Sequence, residues 1–391
     1  MKYNFDEIID RRNVGAVKWK GYDEIIPMWV ADMDFKAPEE IIEAIKSRAD
    51  EGTFGYTYLN KQYYNAIINW VEKRHGFKIE KNWIYSTPTI VSALYWLIQT
   101  FTEVGDKIII QTPVYHRFKG AIEDNGRMVL ENPLKELEGK YYMDFENLES
   151  NIDSKVKMII LCNPHNPVGR VWSKEELIRL GEICLKNNIL VVSDEIHSDI
   201  TFKGYKHTPF ASLGNEFAEN SITCISPTKT FNLAGIQVSN IIIPNENLRK
   251  KFDNTMKLNA MGDINIFGII GLIAAYEKGE QWYREMLYYI EENYNYMREY
   301  IEKNMPMIKV TKLEGTYLAW VDFRALRMNS KELKRFLSEE VKVAFNEGQL
   351  FGGNGEGFQR INFACPRKIL EEALFRLNIG INNCKTWSED V

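Results

Sequence analysis

Residues 157–197 read KMIILCNPHNPVGRVWSKEELIRLGEICLKNNILVVSDEIH. Two apolar runs, 157–162 and 189–193, have the length of strands that are buried on both faces. Between them, Ser173 with glutamates at 175 and 176 is typical of a helix start, and the helical pattern reaches residue 187. A strand, a helix and a second strand in this order predict a parallel pair, and therefore an α/β fold.

The same alternation extends to both sides of this stretch. Further strands are predicted at 107–112, 221–225 and 238–243. After about residue 280 the pattern changes to a long helix at 281–305, a strand near 317–323, a helix at 330–340 and a short run at 359–363. The sequence therefore predicts a large domain over residues 46–280, with a mostly parallel sheet, and a smaller α+β domain built from residues 1–45 and 281–391.

Composition limits the function classes. The 391 residues carry 49 Lys and Arg against 54 Asp and Glu, a net charge of −5, which argues against a nucleic-acid partner. Charged side chains in the first twelve residues predict no export signal, and the longest apolar stretches are too short to span a membrane. Five cysteines without paired spacing indicate a reducing compartment, so we expect a cytoplasmic protein. The five histidines show no spacing typical of a metal site.

Polar turns follow three of the predicted strands, and each offers a different chemical group. Asn166 lies in the turn NPHNPVGR at 163–170, Asp194 in SDEIH at 193–197, and Lys229 in SPTKTFNLAG at 226–235. The carboxyl ends of parallel strands meet at one edge of a sheet, where ligands bind. Taken singly, the lysine also fits an exposed loop, the aspartate a helix N-cap and the asparagine a turn before proline.

The ordered set of amide, carboxylate and amine resembles the fold-type I pyridoxal-phosphate enzymes of the aminotransferase class I/II superfamily. The resemblance covers nearly the whole chain and implies a seven-stranded-type sheet sandwiched by helices, with pyridoxal 5′-phosphate (PLP) as cofactor. It implies that Lys229 forms the Schiff base, that Asp194 pairs with the pyridine nitrogen and that Asn166 donates to the ring 3′-oxygen. His197 stands where most aminotransferases have tyrosine, and a place near the 3′-oxygen and a plain packing role both remain open.

The phosphate of the cofactor needs donors. The resemblance implies backbone N–H groups at the start of the apolar helical stretch and hydroxyl groups beside the lysine. The residues so assigned are Thr89, Ile90, Val91, Ser226 and Thr228. Many aminotransferases have an arginine eight positions after the lysine, and this chain has Gln237 there.

Two tyrosines complete the implied cofactor site. The resemblance implies that Tyr115 stacks on the pyridine face, with a place at the rim of the pocket as the alternative. It implies that Tyr56 reaches the phosphate of a partner chain, which predicts a homodimer with shared active sites. Either tyrosine is a candidate to assist a departing thiolate.

The residues expected on the substrate side of the site indicate which branch of the superfamily the chain resembles. Arg360 matches the superfamily arginine that binds the α-carboxylate of an amino acid, while Arg367 is a competitor that follows a proline. The segment PMWVADMDF at 27–35 resembles the MalY/PatB-type cystathionine β-lyases and would bring the substrate carboxylate near Ala31, although it also reads as an apolar strand of the small domain.

The resemblance implies a carbon–sulfur β-lyase that cleaves L-cystathionine or related cysteine S-conjugates to a thiol, pyruvate and ammonia. The same site residues also suit an aminotransferase acting on an amino acid and a 2-oxo acid. A third alternative is a binding or regulatory protein that keeps the fold and the cofactor without using them. Gln237 and the segment at 27–35 favour the lyase.

Overall fold

A computed structural model describes residues 1–259, 264–353 and 355–384. The strands are β1 Ile26–Pro27, β2 Ile84–Thr87, β3 Lys107–Ile110, β4 Met128–Glu131, β5 Lys135–Leu137, β6 Lys140–Tyr142, β7 Val156–Cys162, β8 Leu190–Asp194, β9 Ser221–Ile225, β10 Ser239–Ile242, β11 Lys309–Val310, β12 Leu318–Asp322, β13 Val343–Ala344, β14 Asn346–Glu347 and β15 Phe358–Asn362. The helices are α1 Glu39–Asp50, α2 Lys61–His75, α3 Ile90–Phe101, α4 Arg117–Asp124, α5 Phe145–Asn151, α6 Lys174–Lys186, α7 Asn215–Glu219, α8 Pro227–Thr230, α9 Glu246–Leu258, α10 Ile266–Lys278, α11 Glu280–Asn304, α12 Ser330–Arg335 and α13 Arg367–Asn383.

A seven-stranded sheet forms the centre of the molecule, in the order β2-β10-β9-β8-β7-β3-β4. Strands β9, β8, β7, β3 and β4 run parallel, and β10 runs antiparallel to both of its neighbours. All five strands predicted in this region are present, so the prediction of an α/β fold with a mostly parallel sheet is confirmed.

Helices cover both faces of this sheet, which explains the continuous apolar runs. In β7, Met158 and Ile160 pack on one side with α3, α4 and α9, while Ile159 and Leu161 pack on the other side with α5 and α6. Because successive side chains of a strand point to opposite faces, a strand covered on both sides needs apolar residues at nearly every position.

Helix α6 begins where the sequence predicts it. The Ser173 hydroxyl accepts a hydrogen bond from the Glu176 N–H at 3.2 Å, and the Glu176 carboxylate accepts one from the Ser173 N–H at 2.9 Å. This reciprocal cap satisfies two N–H groups that the first helical turn leaves without partners. It fixes the point at which the chain turns back after the polar loop that follows β7.

A second sheet of four strands, in the order β11-β12-β15-β14, is built from residues 309–362. The N-terminal segment joins the same part of the molecule, because β1 pairs in parallel with β13 through Ile26 and Val343. Only residues 26 and 27 of the segment at 26–35 form a strand, so the reading of 27–35 as an apolar strand is wrong. Met28 still bonds through its backbone to Ala344 of β13 and Asn362 of β15, and the backbone groups beyond it bond largely to side chains such as those of Asn232 and Asn362. The helix predicted at 330–340 is α12 followed by a π-helical turn over Phe336–Glu340.

None of the helices within the described residues combines the length and the apolar character needed to cross a membrane.

Candidate active site

The three polar turns meet at one cavity beside the carboxyl ends of the sheet strands. Asn166 follows β7, Asp194 ends β8 and Lys229 lies in α8, directly after β9. The cavity has a volume of about 380 Å³. Its walls include the predicted residues Ala31, Thr89, Ile90, Val91, Tyr115, Asn166, Asp194, His197, Thr228, Lys229 and Arg360. Ser226 and Tyr56 are the predicted site residues that do not line it.

Lys229 is held by a one-turn helix. Ser226 caps α8 by accepting a hydrogen bond from the Thr228 N–H at 3.1 Å, and Pro227 occupies the first helical position. The Lys229 Nζ donates to the Ala31 carbonyl at 2.5 Å. Burial, together with the charge of Arg360, lowers the pKa of Lys229 to about 8. A larger share of this amine is therefore neutral, and able to accept a proton, than in an exposed lysine.

Asp194 is a buried carboxylate at the end of a central strand. One oxygen accepts the Ile196 N–H at 3.2 Å. Burial raises the pKa of Asp194 to about 7, against the opposing effects of that hydrogen bond and of Lys229. Such a carboxylate is stabilised by a cation placed next to it, and a protonated pyridine nitrogen is a cation of this kind.

The N-terminus of α3 opens into the cavity. The Thr89 hydroxyl accepts the Ser92 N–H at 3.0 Å and so caps its own helix. The N–H groups of Ile90 and Val91 lie in the first turn, where an α-helix has no internal acceptors, and the helix dipole favours an anion there. The hydroxyl of Ser226 is engaged in the framework instead, because it donates to the Val238 carbonyl at 2.7 Å.

Arg360 lies on β15, where it pairs with Asn346 of β14 and is almost fully buried. Its guanidinium donates to Asn166 Oδ1 at 3.1 Å, to the Trp29 carbonyl at 2.8 Å and to Asn346 Oδ1 at 2.5 Å. These partners are all neutral, and within the described residues no carboxylate lies within ion-pairing distance of it. Burial lowers the pKa of Arg360 to about 10. A buried cation whose partners are neutral favours binding of an anion.

The predicted aromatic site residues differ in how deeply they are buried. Tyr115 is partly buried in the cavity wall, and burial raises the pKa of its phenol. The His197 ring packs edge-on against Tyr317 at 5.9 Å, and burial lowers the pKa of His197 well below its usual value. This histidine is therefore neutral at physiological pH. Tyr56 is fully exposed, in a stretch without regular structure that also exposes Phe54 and Tyr58.

The structure adds residues to the site that the sequence reasoning missed. Asn346, His116 and Arg117 line the same cavity. His116 and Arg117 directly follow Tyr115, so their closeness to a predicted ring-stacking residue was a usable signal. Asn346 enters through the register of two short strands, and no pattern in the sequence marks it. The competing Arg367 begins α13 and donates its Nε–H to Asn293 Oδ1 at 2.8 Å, outside the cavity wall.

The residues present fit PLP. Asn166 uses its Oδ1 to bind Arg360, so its Nδ2 end is the part that can serve a ligand. The cavity offers an amine for the aldehyde, a carboxylate for the ring nitrogen and a helix N-terminus for the phosphate. Among the described residues, no group of three or more His, Cys, Asp or Glu side chains is arranged to hold a metal ion.

Comparison with known proteins decides the family. Residues 23–377 match the model of aminotransferase class I and II. The chain belongs to this family. It is 44% identical to cystathionine beta-lyase PatB of Bacillus subtilis (strain 168) over 386 residues, which are 97% of this chain and 100% of PatB. This similarity confirms the predicted MalY/PatB branch.

Solved structures that contain PLP are also similar to this chain in sequence and in fold. The structure of cystalysin from Treponema denticola, which contains pyridoxal 5′-phosphate, is 38% identical with a TM-score of 0.96, over 98% of this chain and 100% of that one. The PLP-bound C–S lyase from Staphylococcus hominis is 38% identical with a TM-score of 0.91, over 97% and 98% of the two chains. The predicted cofactor, PLP, is confirmed by these neighbours.

Proposed function

We propose that this chain is a PLP-dependent C–S lyase that acts on L-cystathionine or related cysteine S-conjugates. The observation that carries the proposal is one cavity in which the Lys229 amine, the Asp194 carboxylate and a buried Arg360 converge, with no carboxylate partner for Arg360 among the residues that the structure describes. The similarity to PatB over the full length favours β-elimination over transamination. Gln237, in place of a phosphate-neutralising arginine, points in the same direction.

Each residue has a distinct task in this reaction. Arg360 binds the α-carboxylate of the substrate, which places the Cα–H bond within reach of Lys229. The bound cofactor supplies an electron sink for the negative charge that develops at Cα. Lys229 accepts the α-proton on Nζ, and its lowered pKa keeps that nitrogen available near neutral pH. Asp194 holds a positive charge on the ring nitrogen side of the cavity, which strengthens the sink.

The bond changes balance with one water molecule as the co-reactant. The α-proton moves to Lys229, the electron pair of the Cα–H bond forms a Cα–Cβ double bond, and the Cβ–S bond breaks. The sulfur leaves with the electron pair and becomes a thiol by taking up a proton. Hydrolysis of the remaining three-carbon fragment gives pyruvate and ammonia, and L-cystathionine gives homocysteine as the thiol.

The deciding experiment measures pyruvate and thiol released from L-cystathionine by the holoenzyme without any 2-oxo acid. We expect both products in equal amounts. Strict dependence of product formation on an added 2-oxo acid would replace the lyase with the aminotransferase. A parallel series with cystine, cysteine and other S-conjugates then ranks the substrates, since the shape of the pocket decides among them.

We further propose a homodimer with shared active sites. The support is the exposed aromatic stretch, in which the side chains of Phe54 and Tyr58 are 61% and 82% exposed and that of Tyr56 is fully exposed. An interface would remove these rings from water. Mixing inactive Tyr56→Ala and Lys229→Ala chains should restore part of the activity, because one site of the mixed dimer then has both wild-type residues. Mixed dimers that form and stay inactive would contradict the shared site.

The domain boundaries and a cytoplasmic location are also part of this proposal. The domain division into residues 46–280 and residues 1–45 with 281–391 is supported by the two separate sheets and by the pairing of β1 with β13. A cytoplasmic location is supported by Cys162, Cys184, Cys224 and Cys365, which are buried and form no disulfide bond. Limited proteolysis and cell fractionation test these two expectations.

A further inference from the structure

A cluster of four charged side chains lies behind the substrate side of the cavity. Arg11 donates to Asp32 at 2.6 Å and to Asp34 at 2.8 Å. The Lys18 Nζ donates to Asp34 at 2.6 Å and lies 3.7 Å from Asp32. The Lys18 side chain has no exposed surface at all. We call Arg11, Lys18, Asp32 and Asp34 the N-terminal clamp.

The clamp is built on the segment that forms one wall of the site. Trp29 and Ala31 line the cavity, and the Trp29 indole N–H donates to the Lys18 carbonyl at 3.0 Å. The Trp29 carbonyl accepts from Arg360, and the Ala31 carbonyl accepts from Lys229. Two backbone oxygens of one short segment thus orient the group that would bind the substrate and the group that would move the proton.

The conformation of residues 28–35 depends on contacts with other parts of the chain. Residues 28–35 contain no helix or strand, so their position depends on bonds to other parts of the chain. Asn362 binds the Val30 and Asp32 carbonyls at 2.6 Å each, which fixes the segment from the side of β15. The clamp provides a second attachment, through the two aspartates.

The buried lysine indicates more than a general attachment of the N-terminus. Burying an ammonium group carries a large desolvation cost, and a surface pair would attach the segment more simply. The chain has such a pair, Lys36 with Glu7 at 2.6 Å, with both side chains exposed. The clamp also acts on the amine at a distance, because the charge of Asp32 opposes the effect of burial on the pKa of Lys229.

We propose that Arg11 and Lys18 are positioning residues: through Asp32 and Asp34 they aim the Trp29 and Ala31 carbonyls at Arg360 and Lys229, and so set the affinity for the substrate carboxylate. The inference rests on the proposed function for its substrate, and on the clamp geometry alone for its effect on the segment. Arg11 and Lys18 do not line the cavity, so the effect passes through the backbone of residues 29–34.

The test compares Lys18→Met and Arg11→Gln with Lys36→Met as the matched control. Lys36 joins the same two stretches of chain through an exposed pair, so its loss should leave the site unchanged. We expect KM for L-cystathionine to rise at least tenfold in both clamp variants, with a smaller fall in kcat because the Ala31 carbonyl is no longer held against Lys229. Hydrogen exchange of a peptide covering residues 28–35, measured on the full-length chain without substrate, should be several-fold faster than in the control.

The double variant Lys18→Met/Asp34→Asn separates position from stability, because it removes one charge of each sign and leaves Arg11 with Asp32. If Lys18→Met does not fold, KM and hydrogen exchange at residues 28–35 are measured on this double variant and on Arg11→Gln instead. Folded variants that lose thermal stability while KM and exchange at 28–35 match Lys36→Met would overturn the proposal, since the clamp would then be purely structural. If the wild-type chain releases no pyruvate, the proposed function fails, and the exchange measurement still judges the clamp.

Discussion

Replacing Arg360 by lysine tests the substrate site most directly. The variant keeps one positive charge but removes the planar group that reaches Asn166, Trp29 and Asn346. An arginine has five N–H donors, and these three hydrogen bonds leave two, including the Nε–H, which has no partner within the described residues. The two remaining donors are the ones that a carboxylate in the cavity can use.

The expected size of the effect follows from those donors. A hydrogen bond to a charged group contributes about 1.5–3 kcal/mol, and each 1.4 kcal/mol is about a factor of ten in affinity. Lysine retains the charge and one such bond, so the variant should lose the equivalent of one. We therefore expect KM for L-cystathionine to rise about 10- to 150-fold. A smaller decrease in kcat should follow, because Asn166 loses its guanidinium partner.

Initial rates of pyruvate release over a range of L-cystathionine concentrations measure this change. Arg367→Lys is the matched control, because Arg367 is bound to Asn293 and does not line the cavity. Its KM should stay within twofold of wild type. An Arg360→Lys enzyme with an unchanged KM would refute the assignment of Arg360, and a large rise in KM in the Arg367 variant would transfer the role to that residue.

Three further predictions concern the Lys229 amine, the Asp194 carboxylate and the buried ion pairs of Glu314. Lys229→Ala should lose both pyruvate release and the absorption band of the lysine-bound cofactor, and retention of either would contradict its role. Because burial raises the pKa of Asp194 to about 7, the folded chain favours the protonated carboxyl, and the free energy of unfolding of the cofactor-free protein should fall as the pH rises from about 4 to about 7. Thermal unfolding of Asp194→Asn should lack this pH dependence, and an identical slope would disprove it. Glu314→Gln should cost about 3 kcal/mol in urea unfolding, because it removes the charge of a 2% exposed carboxylate that pairs with Arg170 and Lys140 at 2.9 Å each.

Local pattern was sufficient for the elements of the large sheet. The run at 157–162 became β7 and the pattern opened by Ser173 became α6, because burial on both faces and capping leave direct traces in neighbouring residues. The conformation of the segment at 27–35 could not be predicted from local pattern. It is apolar like a strand, but the structure holds it through Asn362, Asn232 and the clamp, and those partners lie far away along the chain.

The family and the cofactor could be predicted from the sequence through the resemblance of its motifs. The meeting of the amide, the carboxylate and the amine could be predicted because the carboxyl ends of parallel strands lie at one edge of a sheet. The pKa shifts of the site groups, in contrast, follow from how the folded chain packs around them. The pKa values near 7 and 8 for Asp194 and Lys229 arise from burial by distant segments. The bond of Arg360 to Asn346 and the buried Lys18 likewise depend on strand register and packing, which neighbouring residues do not encode.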